Sequence, residues 1–243
     1  MRLEPPLRPG VLFDVDGTLV DSNYLHALAW SRALHDAGEW APMNAIHRLI
    51  GMGGDQLVSR LLGHESKEAV ARRPERYREL VGELRAFPGA TSLLRRCQER
   101  GLGVVLATSS PGHELEAARL VLTRQLVCES WDDDGAAFPA APADLDGVVD
   151  GQTCADDVER SKPDPDVFLI AMGREGLDPR RTVAVGDSVW DVEAAAEAGI
   201  GCVGVESGGF SRHELSEAGA IAVYKDVENL FQLFEVSPLA QLG

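Results

Sequence analysis

Short apolar runs separated by longer amphipathic stretches dominate the hydrophobic pattern of this chain. The runs have the length and continuity typical of parallel strands that are buried on both faces. They lie at residues 11–13, 104–107, 182–185, 202–205 and 221–224. Stretches with helical character lie at 92–100, 114–126, 165–174, 189–198 and 227–234. Because strands and helices alternate, the pattern predicts an α/β fold with a doubly wound, Rossmann-like parallel sheet.

One block interrupts this alternation directly after the first predicted strand. Residues 22–87 contain no strand-like run, and Pro74 is suited to the start of a helix within them. Pro88 and Gly89 then close the block. We therefore predict a helical cap domain at 22–87, inserted into an α/β core formed by residues 1–21 and 88–243, and lying over the strand ends as a lid.

The segment from Cys128 to Asp146 does not fit either element type. It is rich in Ala, Asp and Pro, and it overlaps an acidic run, residues 129–159, that holds ten acids and no Lys or Arg. Such a composition is typical of a solvated, flexible loop. The sequence leaves its structure and its role open.

Composition narrows the classes of function. The 243 residues carry a formal net charge of −16, which argues against a nucleic-acid or anionic-membrane partner. No apolar run approaches the roughly 18 residues of a membrane span, and the N-terminus lacks a signal-peptide core, so the expected location is the cytoplasm. The four cysteines are widely spaced without a C-x-x-C pair, which indicates reduced thiols. Whether the chain is a monomer or a dimer stays open.

Two aspartates follow the first predicted strand directly, at Asp14 and Asp16. Two carboxylates at the end of a buried strand are costly unless a cation or a proton offsets their charge. A calcium loop of the EF-hand type is excluded, because its sixth and twelfth positions would be Leu19 and Leu25. A structural turn and a nucleophile paired with a general acid both remain possible at this point.

Further polar groups stand at the other strand ends. Thr108 and Ser109 follow the second predicted strand, and Lys162, one of only three lysines, precedes a proline and a helix. A third strand is followed by the run Gly-Asp-Ser-Val-Trp-Asp, which contains Asp187, Ser188 and Asp191. Each group alone is a weak signal. Together, in this order at the carboxyl ends of strands, they indicate one site.

With these motifs the sequence resembles the haloacid dehalogenase superfamily of phosphohydrolases over nearly its whole length. Within that superfamily it is most similar to the phosphoglycolate phosphatase and β-phosphoglucomutase branch, whose cap begins where Asp21, Ser22 and Asn23 stand here. The second aspartate, Asp16, is typical of the phosphoryl-transfer members of the superfamily and is lacking in the dehalogenases, so the resemblance argues against a dehalogenase. The resemblance implies a phosphatase that acts on a small phosphorylated metabolite.

The resemblance also implies a role for each core residue. Asp14 would attack phosphorus and form an aspartyl-phosphate, while Asp16 would act as general acid and base. Mg²⁺ would bind Asp14, the backbone carbonyl of Asp16, and Asp187. Lys162 would pair with the phosphoryl group.

The remaining implied roles support these. Thr108 and Ser109 would hold phosphoryl oxygens. Ser188 and Asp191 would stand behind the metal ligands, with Asp191 orienting water on the metal. In the cap, His26 would assist proton transfer or pack between cap and core, and Arg48 would clamp a second anionic group of the substrate or lie on the surface.

Two alternatives to the phosphatase stay open. A β-phosphoglucomutase-like phosphotransferase would use the same core residues, and a non-catalytic phosphate-binding protein would share the fold. The run Gly199 to Gly204 fits G-x-G-x-x-G, but it follows a helix and enters a strand, so it predicts a helix C-cap and no nicotinamide cofactor.

Overall fold

A computed structural model of the chain describes residues 6–129 and 144–243. The strands are β1 (Arg8–Phe13), β2 (Val20–Asp21), β3 (Arg85–Ala86), β4 (Gly103–Ala107), β5 (Gly151–Thr153), β6 (Leu177–Gly186), β7 (Gly201–Val205) and β8 (Ala222–Tyr224). The helices are α1 (Asn23–Asp36), α2 (Met43–His47), α3 (Gly54–Leu62), α4 (Lys67–Arg78), α5 (Ala90–Glu99), α6 (Gly112–Glu129), α7 (Asp166–Glu175), α8 (Val189–Glu197), α9 (Arg212–Ala218) and α10 (Val227–Gln232).

Six strands form a parallel sheet in the order β5-β4-β1-β6-β7-β8. This confirms the predicted α/β class and all five predicted strands. The edge strand β5 and the helix α9 were not predicted. β5 has only three residues, of which Gly151 is half-buried and Gln152 is exposed, so it has no apolar run to mark it.

The sheet is buried on both faces. Successive side chains of β1 point to opposite faces, with Val11 and Phe13 in one apolar cluster and Leu12 in the other. The first cluster also contains residues of α5, α6 and α10, and the second contains residues of α7, α8 and α9. Double burial explains why these strands read as continuous apolar runs.

The first four helices, α1 to α4, precede the rest of the sheet and carry an apolar cluster of their own around Trp30, Ile46 and Leu57. They are joined to the sheet by an antiparallel pair of two-residue strands, β2 and β3, in which Val20 is paired with Ala86. The expectation that residues 22–87 hold no strand is therefore wrong for Arg85–Ala86. The division into a core and a cap domain at these boundaries stays a prediction.

Pro74 is a second correction, since it lies inside α4 instead of at the start of a helix. The helix begins earlier because Ser66 caps it, accepting a hydrogen bond from the backbone N–H of Ala69. Gly199, by contrast, follows α8 with φ +75, as a helix C-cap predicts.

The predicted loop between Cys128 and Asp146 lies outside the described residues at 130–143. Its described ends are the last turn of α6 and a short 3₁₀ helix, Leu145–Gly147. None of the described helices combines the length and the apolar composition needed to cross a bilayer.

Candidate active site

The candidate site lies at the carboxyl edge of the central strands. Asp14 follows β1 directly, and its backbone N–H donates to the carbonyl of Val185 in β6 over 2.9 Å. Thr108 follows β4, and Asp187 follows β6. Because these strands are parallel neighbours, their carboxyl ends bring the three side chains to one place.

Lys162 is the buried cation of the site. Its Nζ lies 2.6 Å from Asp14 Oδ1, 2.8 Å from Asp191 Oδ1 and 2.8 Å from the carbonyl oxygen of Ala107. The side chain is 0% exposed. Burial alone would lower the pKa of Lys162, but the charges of Asp14 and Asp191 outweigh it and raise the pKa. The ammonium therefore stays charged and is held against the first aspartate.

Three buried carboxylates form a cluster, and two of them, Asp14 and Asp191, contact this lysine. Asp14, Asp187 and Asp191 each offer an oxygen, and these oxygens lie within 4.8 Å of one another. Burial raises the pKa of Asp14 to about 7 despite Lys162, and burial together with Asp14 and Asp191 raises the pKa of Asp187 well above its usual range. One ammonium does not balance three carboxylates. An oxygen-only donor set with excess negative charge fits a hard divalent cation.

Glycines leave the room that this cluster needs. A Cβ on Gly208 would lie 1.5 Å from Asp187 Oδ2, and a Cβ on Gly17 would lie 2.5 Å from the same atom. Gly17 also has φ +81, which favours glycine. Asn23 Nδ2 donates to Asp187 Oδ2 over 2.9 Å, and Thr18 Oγ1 donates to Asp187 Oδ1 over 3.0 Å. The carboxylate is thus fixed by side chains and by close backbone.

Asp16 stands in a different environment from Asp14. Its Oδ1 accepts from Ser22 Oγ over 2.6 Å and lies 2.7 Å from His26 Nε2, and its Oδ2 accepts from Ser110 Oγ over 2.6 Å. Burial by itself would raise the pKa of Asp16, but His26 and the two serine hydroxyls outweigh it and hold that pKa below its usual range. The pKa values of the two aspartates are therefore shifted in opposite directions because their neighbours differ.

His26 connects Asp16 to a buried ion pair between α4, which belongs to the helical block α1 to α4, and α6 beside the sheet. Its Nδ1 lies 2.5 Å from Arg73 Nη2 in α4, and Arg73 Nη1 donates to Glu114 in α6. The imidazole also stacks on Tyr77, with ring centroids 4.4 Å apart. Asp16, His26, Arg73 and Glu114 form a continuous polar chain.

A cavity of about 190 Å³ opens onto these residues. Asp14, Asp16, His26 and Arg73 line it together with Thr108 and the two serines that follow. Ser109 Oγ is buried and has no hydrogen-bond partner in the described structure, so it is available to a ligand. The predicted residues Asp14, Asp16, Thr108, Ser109 and His26 are therefore brought together around one cavity.

The other predicted residues take up two further positions. Ser188 and Asp191 form a capping box at the start of α8, with Ser188 Oγ 2.5 Å from Asp191 Oδ2. Asp191 also contacts Lys162, and one of its carboxylate oxygens lies within 4.8 Å of those of Asp14 and Asp187. Arg48 pairs with Glu214, lies over the ring of Phe210, and lines a separate groove.

Sequence reasoning missed several residues of the site. Thr18 lies two residues after Asp16, and Ser110 directly follows Ser109, so their hydroxyls could have been included on that ground. Arg73 and Glu114 have no local signal, because they are 41 residues apart and meet only through the packing of α4 against α6.

Comparison with known proteins agrees with this arrangement. The family model of haloacid dehalogenase-like hydrolases matches residues 9–199. A phosphorylated carbohydrates phosphatase from Thermotoga maritima is 30% identical over 234 residues, which cover 93% of this chain and 98% of that protein. A phosphoglycolate phosphatase from Yersinia pseudotuberculosis is 32% identical over 209 residues, covering 82% of this chain and 81% of that protein. The crystal structure of a hydrolase from Pseudomonas syringae superimposes with a TM-score of 0.80 at 30% identity, over 94% of this chain and 99% of that one.

Proposed function

This chain belongs to the haloacid dehalogenase-like hydrolase family and is a phosphoric monoester hydrolase, and we propose that it is a Mg²⁺-dependent phosphatase that works through an aspartyl-phosphate on Asp14. Its substrate is a small phosphorylated metabolite. The observation that carries the proposal is the pairing of Asp14 with Lys162 at 2.6 Å, beside a second aspartate in a wholly different environment.

Asp14, the backbone carbonyl of Asp16, and Asp187 would hold the Mg²⁺, and the excess negative charge of the carboxylate cluster supports this choice. When bound, the ion supplies positive charge that offsets repulsion between the Asp14 carboxylate and the phosphoryl oxygens. We assign Asp191 to the same cluster, where its ion pair with Lys162 keeps both side chains in position.

Asp14 acts as the nucleophile. One of its carboxylate oxygens forms a bond to phosphorus while the bond from phosphorus to the ester oxygen breaks. This divides one difficult displacement into two easier ones. Lys162 attracts the phosphoryl group towards Asp14 from its buried position, and Thr108 and Ser109 receive the phosphoryl oxygens. The unpartnered Ser109 hydroxyl supports that last assignment.

Asp16 moves the proton in both steps. It protonates the departing ester oxygen, and then it takes a proton from the water that attacks the aspartyl-phosphate. Free Asp16 is held as a carboxylate: Arg73 Nη2 can only donate, so His26 Nδ1 accepts from it and His26 Nε2 donates to Asp16 Oδ1. His26 is in this view a positioning residue for Asp16, and Asp16 takes up the proton that it gives to the ester oxygen from water or from the phosphate ester that enters the cavity.

Phosphate release from a panel of phosphate monoesters tests the proposal. We expect release with Mg²⁺, loss with EDTA, restoration by added Mg²⁺, and turnover near background for Asp14→Asn. Isomerisation of a sugar phosphate without release of phosphate would assign the protein to the phosphotransferases. Binding without turnover of any ester would make it a phosphate-binding protein.

A further inference from the structure

The cavity beyond the phosphoryl site has an apolar wall. Its residues come from α1, α3, α4 and the loop before α3, and they are Trp30, Ile50, Met52, Leu57, Val70 and Pro74. Among the described residues that line the cavity, Arg73 is the one arginine, and no lysine stands beside it. Recognition of a second anionic group on the substrate would therefore depend on the charge of Arg73.

That charge is already neutralised inside the protein. Arg73 and Glu114 are both buried, at 8% and 3% exposure, and their side chains form a direct ion pair. The other terminal nitrogen of the Arg73 guanidinium faces His26 Nδ1. The central carbon of the guanidinium, Cζ, lies over the ring of Tyr77, 4.7 Å from the ring centroid. A carboxylate or phosphate that entered the cavity would have to lose its own water and compete with Glu114, which is already desolvated beside Arg73.

Two nearby arginines of the helical block are engaged elsewhere. Arg48 pairs with Glu214 and covers Phe210, and Arg60 lies over the ring of Trp190, 4.8 Å from its centroid. Both arginines and their three partners line the separate groove between the helical block and the helices α8 and α9. They contribute no charge to the wall of the cavity that holds Asp14.

From this distribution of charge we infer that the enzyme takes phosphate monoesters whose leaving alcohol is uncharged, and that it discriminates against leaving groups that carry a carboxylate or a second phosphate. The inference rests on the proposed function and names its substrate class. The physical reason is that a second anion would enter a small, largely apolar cavity beside Asp14 and Asp16 whose described lining offers no unpaired arginine or lysine. A neutral alcohol meets the apolar wall at no such cost.

A matched pair of substrates tests this with the native protein. Phosphoglycolate and phosphoglycolamide have nearly the same shape and differ by one negative charge. We expect kcat/KM to be about tenfold or more higher for the amide, and to stay so in ~0.5 M salt, where repulsion from the distant surface charges is screened. Equal values, a preference for the acid, or a preference for the amide that vanishes at high salt would each overturn the inference.

Glu114→Gln identifies the group responsible. It leaves Arg73 charged and without its counter-ion, so the ratio of amide to acid should fall by about tenfold. Glu214→Gln is the matched control, because it frees Arg48 outside the cavity and should leave the ratio unchanged. A folded Glu114→Gln protein with an unchanged ratio would overturn the role of this ion pair, and the substrate pair decides the inference even if that variant does not fold. Failure to hydrolyse any ester, neutral or charged, would instead refute the proposed function.

Discussion

Asp16→Asn separates the two proton transfers assigned to that residue. The side chain keeps its volume, and its amide keeps one oxygen for Ser22, while the new NH₂ faces the hydroxyl of Ser110, which is able to accept. The fold around the site is thus retained. What is lost is the group that gives a proton to the departing oxygen.

The size of the loss depends on the leaving group. General acid catalysis contributes roughly 10²–10⁴-fold, which corresponds to about 2.7–5.4 kcal/mol of the barrier. The alcohol of an alkyl phosphate would leave as a basic alkoxide and needs that proton, so formation of the aspartyl-phosphate from this ester should slow by this factor. p-Nitrophenyl phosphate leaves as a stabilised phenolate and needs the proton far less.

Rapid-mix kinetics distinguish the steps. Because water attack on the aspartyl-phosphate would also lack its base, Asp16→Asn should release a burst of nitrophenolate close to one equivalent per enzyme molecule, followed by slow turnover. Asp14→Asn is the control, and it should show no burst because no covalent intermediate can form. Equal slowing of the first step for both esters, or a burst from Asp14→Asn, would refute the assignment of roles.

Three further predictions concern stability and metal binding. Glu114→Gln should lower the free energy of unfolding in urea by about 3–5 kcal/mol, because it leaves Arg73 buried without its partner. The control Glu214→Gln should lower it by about 1 kcal/mol or less, because the Glu214 side chain is 38% exposed. Similar losses for both variants would contradict this reasoning from burial. Burial raises the folded-state pKa of Asp14 from 3.8 to about 7, so the folded protein binds more protons between these values and, in EDTA, its free energy of unfolding should fall as the pH rises from about 4 to about 7. Saturating Mg²⁺ should reduce that slope, and a rise in stability across the window would count against the charge excess. Gly208→Ala places a Cβ 1.5 Å from Asp187 Oδ2 and should weaken Mg²⁺ binding in calorimetry, while Gly173→Ala, with open space around it, should bind as the native protein does.

Local sequence was sufficient to predict five strands of the sheet and the polar residues at the carboxyl ends of these strands. Runs of apolar residues mark strands that are buried on both faces, and parallel strands carry their ligands at their carboxyl ends. Asp14 and Asp187, which directly follow β1 and β6, could therefore be assigned to one site although they lie far apart in the chain. β5 was missed because a three-residue edge strand with one fully buried side chain has no such run.

Tertiary packing alone decided the contacts between the helical block and the helices α6 and α9. Arg73 lies in a helix with many charged residues, where nothing local distinguishes it from the exposed Arg72 beside it. It becomes part of the site because α4 packs where Glu114 and His26 can reach it. Arg48 likewise pairs with Glu214 only because α9 lies within its reach. The polar residues at the strand ends could be predicted because parallel strands follow a regular backbone pattern. The charge of the cavity could not, because it depends on which helix surfaces pack together, and long-range contacts decide that.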